Sequence, residues 1–159
     1  MSICIYKTDN DWSTFIKTNS ITERVNFWRF NQDDFTLPVH EFFYFRRWDE
    51  NAIIGRGRLV SYAKMSIQKA WDTYQINCGA PSLIQLMTSL KRIYEDRIQD
   101  EQSDIQAIEL RSIEWLAPNR DLQLSEEIFH KSAQYAFRNN FSEEEELNIN
   151  KRFANAFRR

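Results

Sequence analysis

All three glycines of this chain fall within residues 26–79, and two of them stand in the triplet Gly55-Arg56-Gly57 inside the apolar run AIIGRGRLV. Glycine in a strand gives up side-chain packing and backbone entropy, so it belongs where the strand bends or where another group must come close. Period-two counting puts Ile54, Arg56, Arg58 and Val60 on one face and Ile53, Gly55, Gly57 and Leu59 on the other. The second face is bare at its middle, which admits a backbone, an aromatic ring or a ligand, or lets the strand coil toward a closed barrel. The third glycine, Gly79, follows a helical stretch and reads as its stop.

Around that strand the chain punctuates into short elements. RVNFWRF (24–30) and EFFYFRRW (41–48) are rich in aromatic and branched residues and are joined by the polar, proline-bearing NQDDFTLPVH, the pattern of two strands and a loop; residues 52–62 make a third strand. Ser66 reads as an N-cap before IQKAWDTY, where Ile67, Ala70, Trp71 and Tyr74 recur at helical spacing. Ser82 and Gln85 have capping-box spacing ahead of a longer stripe, Leu83, Leu86, Met87, Leu90, Ile93 and Tyr94. IQAIELRSIEWL reads as a half-exposed strand ended by Pro118, and DLQL as a short strand or turn. A helix is expected from Ser125 through Phe137, and a last one over 142–159, with Glu143 to Glu146 as a solvated acidic start and Ile149, Phe153 and Phe157 as its apolar stripe. Residues 1–23 read as an arm or short helix covering a sheet edge. The fold class is α+β, a small curved, barrel-like mixed sheet with flanking helices, in one domain over 1–159.

Composition narrows the function. A length of 159 residues with 42% hydrophobic and 14% aromatic content supports one buried core. A net charge of -2 argues against holding duplex nucleic acid by bulk electrostatics, so nucleic-acid binding has to be local. The N-terminus reaches charged residues too early for a signal peptide, and no run approaches the roughly 20 apolar residues of a membrane span; a cytoplasmic protein without membrane contact is expected.

Catalytic patterns are scarce. His40 and His130 are far apart and share no metal-ligand spacing, and Asp33 and Asp34 lie in a polar loop where solvation accounts for them. Cys4 and Cys78 read as buried thiols; Cys78 stands at a helix end, with no helix N-terminus to lower its pKa. No catalytic residue, metal or cofactor is assigned. The chemistry-bearing set is aromatic and cationic: Trp28 with Arg29, Tyr44 and Phe45 with Arg46 and Arg47, then Trp48, Arg56, Arg58 and Tyr62. Any one strand aromatic is more often packing than platform. Arginines beside so many of them point to a flat, negatively charged ligand, with rings on a base and guanidinium groups on phosphates.

The order NFWRF, LPVHEFFYFRR, AIIGRGRLVSY and MSIQKAWDTYQINCGAPSL resembles the N-terminal domain of HNH restriction endonucleases, over about residues 25–95. That domain is similar to the PUA-like superfamily, which includes the EVE, YTH and SRA-type readers of modified bases. The resemblance implies a pocket for a base everted from a duplex, carried here by Asn26, Trp28, Arg29, Phe45, Arg46, Gly55, Gly57, Trp71, Asn77 and Gly79. It implies Trp28 as a stacking or cage wall, with Trp48 and Tyr62 as further walls, Arg29 and Arg46 as phosphate contacts, and Trp71 as packing beneath the pocket. No HNH segment follows within the chain, so it implies a non-catalytic module that reads a modified base in DNA for a restriction or defence system, beside a nuclease domain or subunit. A PUA-like single-stranded RNA binder and a protein-interaction domain stand as alternatives.

Overall fold

The computed structural model describes residues 2–30, 37–124, 137–138 and 141–158. The elements are β1 (Ile3–Lys7), α1 (Asn10–Thr18), β2 (Val25–Arg29), β3 (Phe42–Arg46), β4 (Ala52–Ser66), α2 (Ile67–Tyr74), a 3-10 turn (Gln75–Cys78), α3 (Leu83–Tyr94), β5 (Asp104–Trp115), β6 (Leu122–Gln123), β7 (Phe137–Arg138) and α4 (Glu143–Phe157). They group into two compact units, one of Met1–Asn10, Thr36–Leu59 and Ser112–Arg159, the other of Asp11–Phe35 and Val60–Arg111. Strands β4 and β5 each run from one unit into the other.

In the first unit the ladder runs β5-β4-β3-β1-β7, with β6 also on β4. β1 is parallel to β3 from Ile3↔Phe42 to Lys7↔Arg46 and antiparallel to β7, so the segment expected as an edge-covering arm is an internal strand. The alternation that would have marked it, Ile3 and Ile5 against Cys4, is masked because all three are fully buried. Tyr44, Ile53, Leu116 and Leu122 join Ile3 and Ile5 in one cluster, closed by Ile149 and Phe153 of α4.

On the other side, a methyl group at Gly55 would meet Cε3 of Trp115 at 2.6 Å and the Glu114 carbonyl oxygen at 2.8 Å, so the bare patch in the glycine strand receives an indole. That indole stacks on Phe45, with centroids 5.1 Å apart. The register between β3 and β4 slips between Phe45 and Arg46, a bulge that re-aims the end of β3.

In the second unit β2 pairs antiparallel with β5, Val25↔Leu110 through Arg29↔Gln106. Ser66 and Ser82 cap α2 and α3, accepting from the backbone N–H of Lys69 and Gln85. Gly79 ends the 3-10 turn at φ 88, and its missing side chain leaves room for the Trp12 ring. Trp12 meets Phe27 edge-on and donates from Nε1 to the Asn26 carbonyl at 3.0 Å, so α1 is pinned to β2.

Ser142 and Glu145 form a full capping box on α4, and Ile149 and Phe153 are buried as the stripe requires. Glu146 departs from the expected solvated run: it is buried, and burial raises its carboxyl pKa. The helix expected from Ser125 falls mostly outside the described residues, and Phe137 at its end lies in β7 instead. The α+β architecture with a mixed sheet stands; no ladder among the described residues closes it into a barrel.

Candidate nucleic-acid interface

The predicted site residues divide between the units. Asn26, Trp28, Arg29 and Tyr62 belong to the second; Arg46, Trp48, Arg56 and Arg58 belong to the first.

β2 is buried along its whole length, and this overturns two expected roles. Trp28 is 6% exposed, donates from Nε1 to the Cys78 carbonyl at 3.0 Å and meets Tyr94 edge-on, so its ring faces protein and walls no open cleft. Arg29 is 1% exposed and does not offer its guanidinium to a solvent-borne phosphate. Asn26 is fully buried with its Nδ2 on the Cys78 sulfur at 3.3 Å, a packing role. Burial pushes the Cys78 thiol up to about 11, against the weaker pull of Asn26, which agrees with its reading as an unreactive buried thiol. Asn77 donates to the carbonyls of Glu23 and Arg24, and Trp71 is half-buried on α2. Tyr62 is exposed on β4.

In the first unit Arg56 is a buried clamp. Its Nε lies 2.9 Å from Oε1 of Glu114, its Nη1 donates to the Tyr44 hydroxyl at 3.1 Å, and its guanidinium sits 3.9 Å from the Phe42 centroid and 4.4 Å from that of Phe153. The Tyr44 hydroxyl donates in turn to Oδ1 of Asn150 on α4. Burial pushes Tyr44 up to about 12, opposed by Arg56. A cation this well partnered fastens α4 to the sheet; its predicted phosphate role is replaced by a structural one. Arg58 lies over the outer part of the same aromatic group, 4.0 Å from the Phe42 centroid, with Nη1 on the His40 carbonyl.

The arrangement that does face outward lies where β1 and β3 end. Lys7 and Arg46 are register partners, and the Lys7 ammonium lies 4.0 Å from the centroid of Trp48. Trp48 and Lys7 are half-buried, while Arg46 is 1% exposed, so the predicted direct phosphate contact from Arg46 is corrected to a buried charge behind Lys7. The loop carrying Trp48 is closed by Arg47 N–H to the Ala52 carbonyl at 2.8 Å, tied to Leu124 through Asn51, and braced by an ion pair from Arg47 to Asp121. Lys7 gave no sequence signal: only its parallel pairing with β3 brings it beside Trp48.

Among the described residues no group of three or more His, Cys, Asp or Glu is placed to hold a metal ion, and no helix is long and apolar enough to cross a membrane. Neither a family model nor a curated protein matches this sequence. Solved structures match the fold. The ASCH structure from Zymomonas mobilis has a TM-score of 0.61 at 14% identity, covering 94% of this chain and 94% of that one. A Tyr→Phe variant of the same protein gives 0.63 at 14% identity, covering 94% and 98%, and a Ser→Ala variant gives 0.61 at 14%, covering 94% and 95%. The likeness carries the PUA-like part of the resemblance and is silent on the HNH part: this chain has the α+β, PUA-like fold of the ASCH structures.

Proposed function

We propose that this chain is a nucleic-acid-binding module whose ligand is a single unstacked base with its adjoining phosphate. The half-exposed indole of Trp48 beneath the Lys7 ammonium carries the reading, because it offers a ring and a cation side by side on a PUA-like fold. In its finer form the module reads a modified base everted from DNA, as the non-catalytic specificity component of a restriction or defence system, with cleavage left to a partner nuclease. Single-stranded RNA is the competing form, and the burial of Trp28 favours it. A modified-base reader needs a cup that encloses the flipped base, whereas one outward ring suits a strand whose bases are already unstacked.

Fluorescence anisotropy with single-stranded RNA, single-stranded DNA, plain duplex, and duplex carrying a modified cytosine or adenine separates these forms. Tighter binding to the modified duplex than to its plain counterpart establishes the DNA form, and preference for RNA over matched DNA the other. Equal, weak binding to all four refutes both. Incubation of modified plasmid with the protein and Mg²⁺ or Mn²⁺ is expected to leave it uncut.

A further inference from the structure

The corner formed by Lys7, Arg46 and Trp48 holds charge that its own neighbours leave uncompensated. Lys7 and Arg46 are like charges paired across a parallel ladder. Of the nearby carboxylates, Asp121 and Glu50 are engaged with Arg47, which leaves the exposed Asp49 as the one acting on Arg46. Burial, and then the Arg46 charge, hold the Lys7 ammonium below its ordinary pKa. A protein that gained from this pair only structurally would be expected to set a carboxylate between the two.

The aromatic half of the corner has a matching property. An ammonium over the indole occupies the π-face on which a flat base would stack, and it is a weak occupant because it stays half in water. The bulge before Arg46 and the ties from the Trp48 loop to Ala52 and Leu124 fix the indole ahead of any ligand, so little ordering cost remains for binding. Arg56 offers no comparable opening, since Glu114, Tyr44 and two rings already hold it.

We infer that this corner binds one nucleotide unit, the base stacking on Trp48 while the Lys7 ammonium swings off the indole to pair with the nucleotide's phosphate and Arg46 backs it as a buried positive charge. The inference deepens the nucleic-acid-binding reading and rests on it. No bond is made or broken. The ligand class is a nucleoside phosphate, free or within a strand, and both parts are needed: the phosphate relieves the like-charge pair and the base replaces the ammonium on the ring.

The test follows the Lys7 Cε resonance of the full chain against pH, assigned with Lys7→Arg, in the presence of uridine 5′-monophosphate, uridine or inorganic phosphate. Uridine 5′-monophosphate is expected to raise the Lys7 midpoint by about one unit, as a close anion does, and at equal concentration the other two to raise it far less. No rise with the nucleotide, or an equal rise with inorganic phosphate, overturns the inference, the second because it leaves Trp48 without a role. In parallel, Lys7→Gln and Trp48→Leu are each expected to weaken binding of a labelled oligouridylate about tenfold, and Lys7→Gln to flatten the salt dependence by about 0.7 in slope. If the wild-type chain binds the oligonucleotide and both variants bind equally well, this corner is not the site while the broader reading stands. If the wild-type chain binds no oligonucleotide, the broader reading falls, and the mononucleotide titration alone decides whether the corner takes a nucleoside phosphate.

Discussion

Replacing Trp28 by phenylalanine separates a structural indole from a ligand-reading one. The six-membered ring survives the change, so the edge-on contact with Tyr94 is largely kept. What is lost is the Nε1 donation to the Cys78 carbonyl at 3.0 Å and the volume of the pyrrole ring, in a side chain only 6% exposed. A buried carbonyl left without its donor costs about 1–3 kcal/mol, and the partial cavity adds about 1 kcal/mol, giving a loss of about 3 kcal/mol. For a domain of this length that lowers Tm by roughly 6–12 °C and consumes a large part of a total stability of about 5–15 kcal/mol. Urea denaturation followed by far-ultraviolet circular dichroism measures the loss without relying on indole fluorescence, and oligonucleotide binding is read on the folded variant. The expected result is a clear drop in midpoint with affinity within about twofold of wild type, whereas a ring that stacked on a base would cost about 1–3 kcal/mol of binding. Unchanged stability together with a tenfold loss of affinity would refute the placement of Trp28 in the core.

Gly55→Ala puts a methyl group 2.6 Å from the Trp115 ring and 2.8 Å from the Glu114 carbonyl, and that ring is itself backed by Phe45. Overpacking of about 1–3 kcal/mol exceeds the 0.4–1 kcal/mol or so gained from a stiffer unfolded chain, so a net loss near 1 kcal/mol is expected, partly recovered by adding Trp115→Leu; a neutral or stabilising Gly55→Ala would contradict the close approach. Alkaline titration reads the buried acids: Cys78, pushed from 9.0 to about 11, and Tyr44 and Tyr74, each pushed from 10.0 to about 12, stay protonated in the fold while the unfolded chain ionises. Their contribution is complete below pH 9.0 and is lost as pH rises through 11 and 12, so the urea midpoint should fall across that window, less steeply in Cys78→Ala corrected for its own stability; a flat profile from pH 9 to pH 11 would refute the burial of the thiol.

What the sequence disclosed was local. Ser66, Ser82 and Ser142 mark helix starts because the cap bond spans three residues, and Gly79 marks a stop because its φ of 88 is adopted at little cost by glycine. The close approach at Gly55 was legible as an empty face, though not its occupant, since Trp115 lies sixty residues further along the chain. Pairing was not legible. β1 joins β3 in parallel across some 40 residues, and nothing in ICIYK names its neighbour. Lys7 therefore escaped notice as a candidate, although it is the cation that meets Trp48. Trp28 and Arg29 were misassigned for a related reason: VNFWR is buried on both faces, and a strand covered on both sides loses the alternation that tells inward from outward.

An arginine beside an aromatic residue has two uses, and local sequence does not distinguish them. In solvent the guanidinium is free for phosphate. Inside, the same group is stable only if rings and acceptors surround it, as Phe42, Phe153, Tyr44 and Glu114 surround Arg56. The aromatic and cationic richness of residues 26–62 is thus spent largely on architecture: Arg56 joins α4 to the sheet, and Arg29 and Arg46 lie almost fully buried. Recognition is left to whatever the burial does not consume, and in the first unit that is one indole with one ammonium in front of a buried guanidinium. So small a surface agrees with the chain's net charge of -2: it suits a ligand held one base and one phosphate at a time rather than a duplex gripped along its backbone.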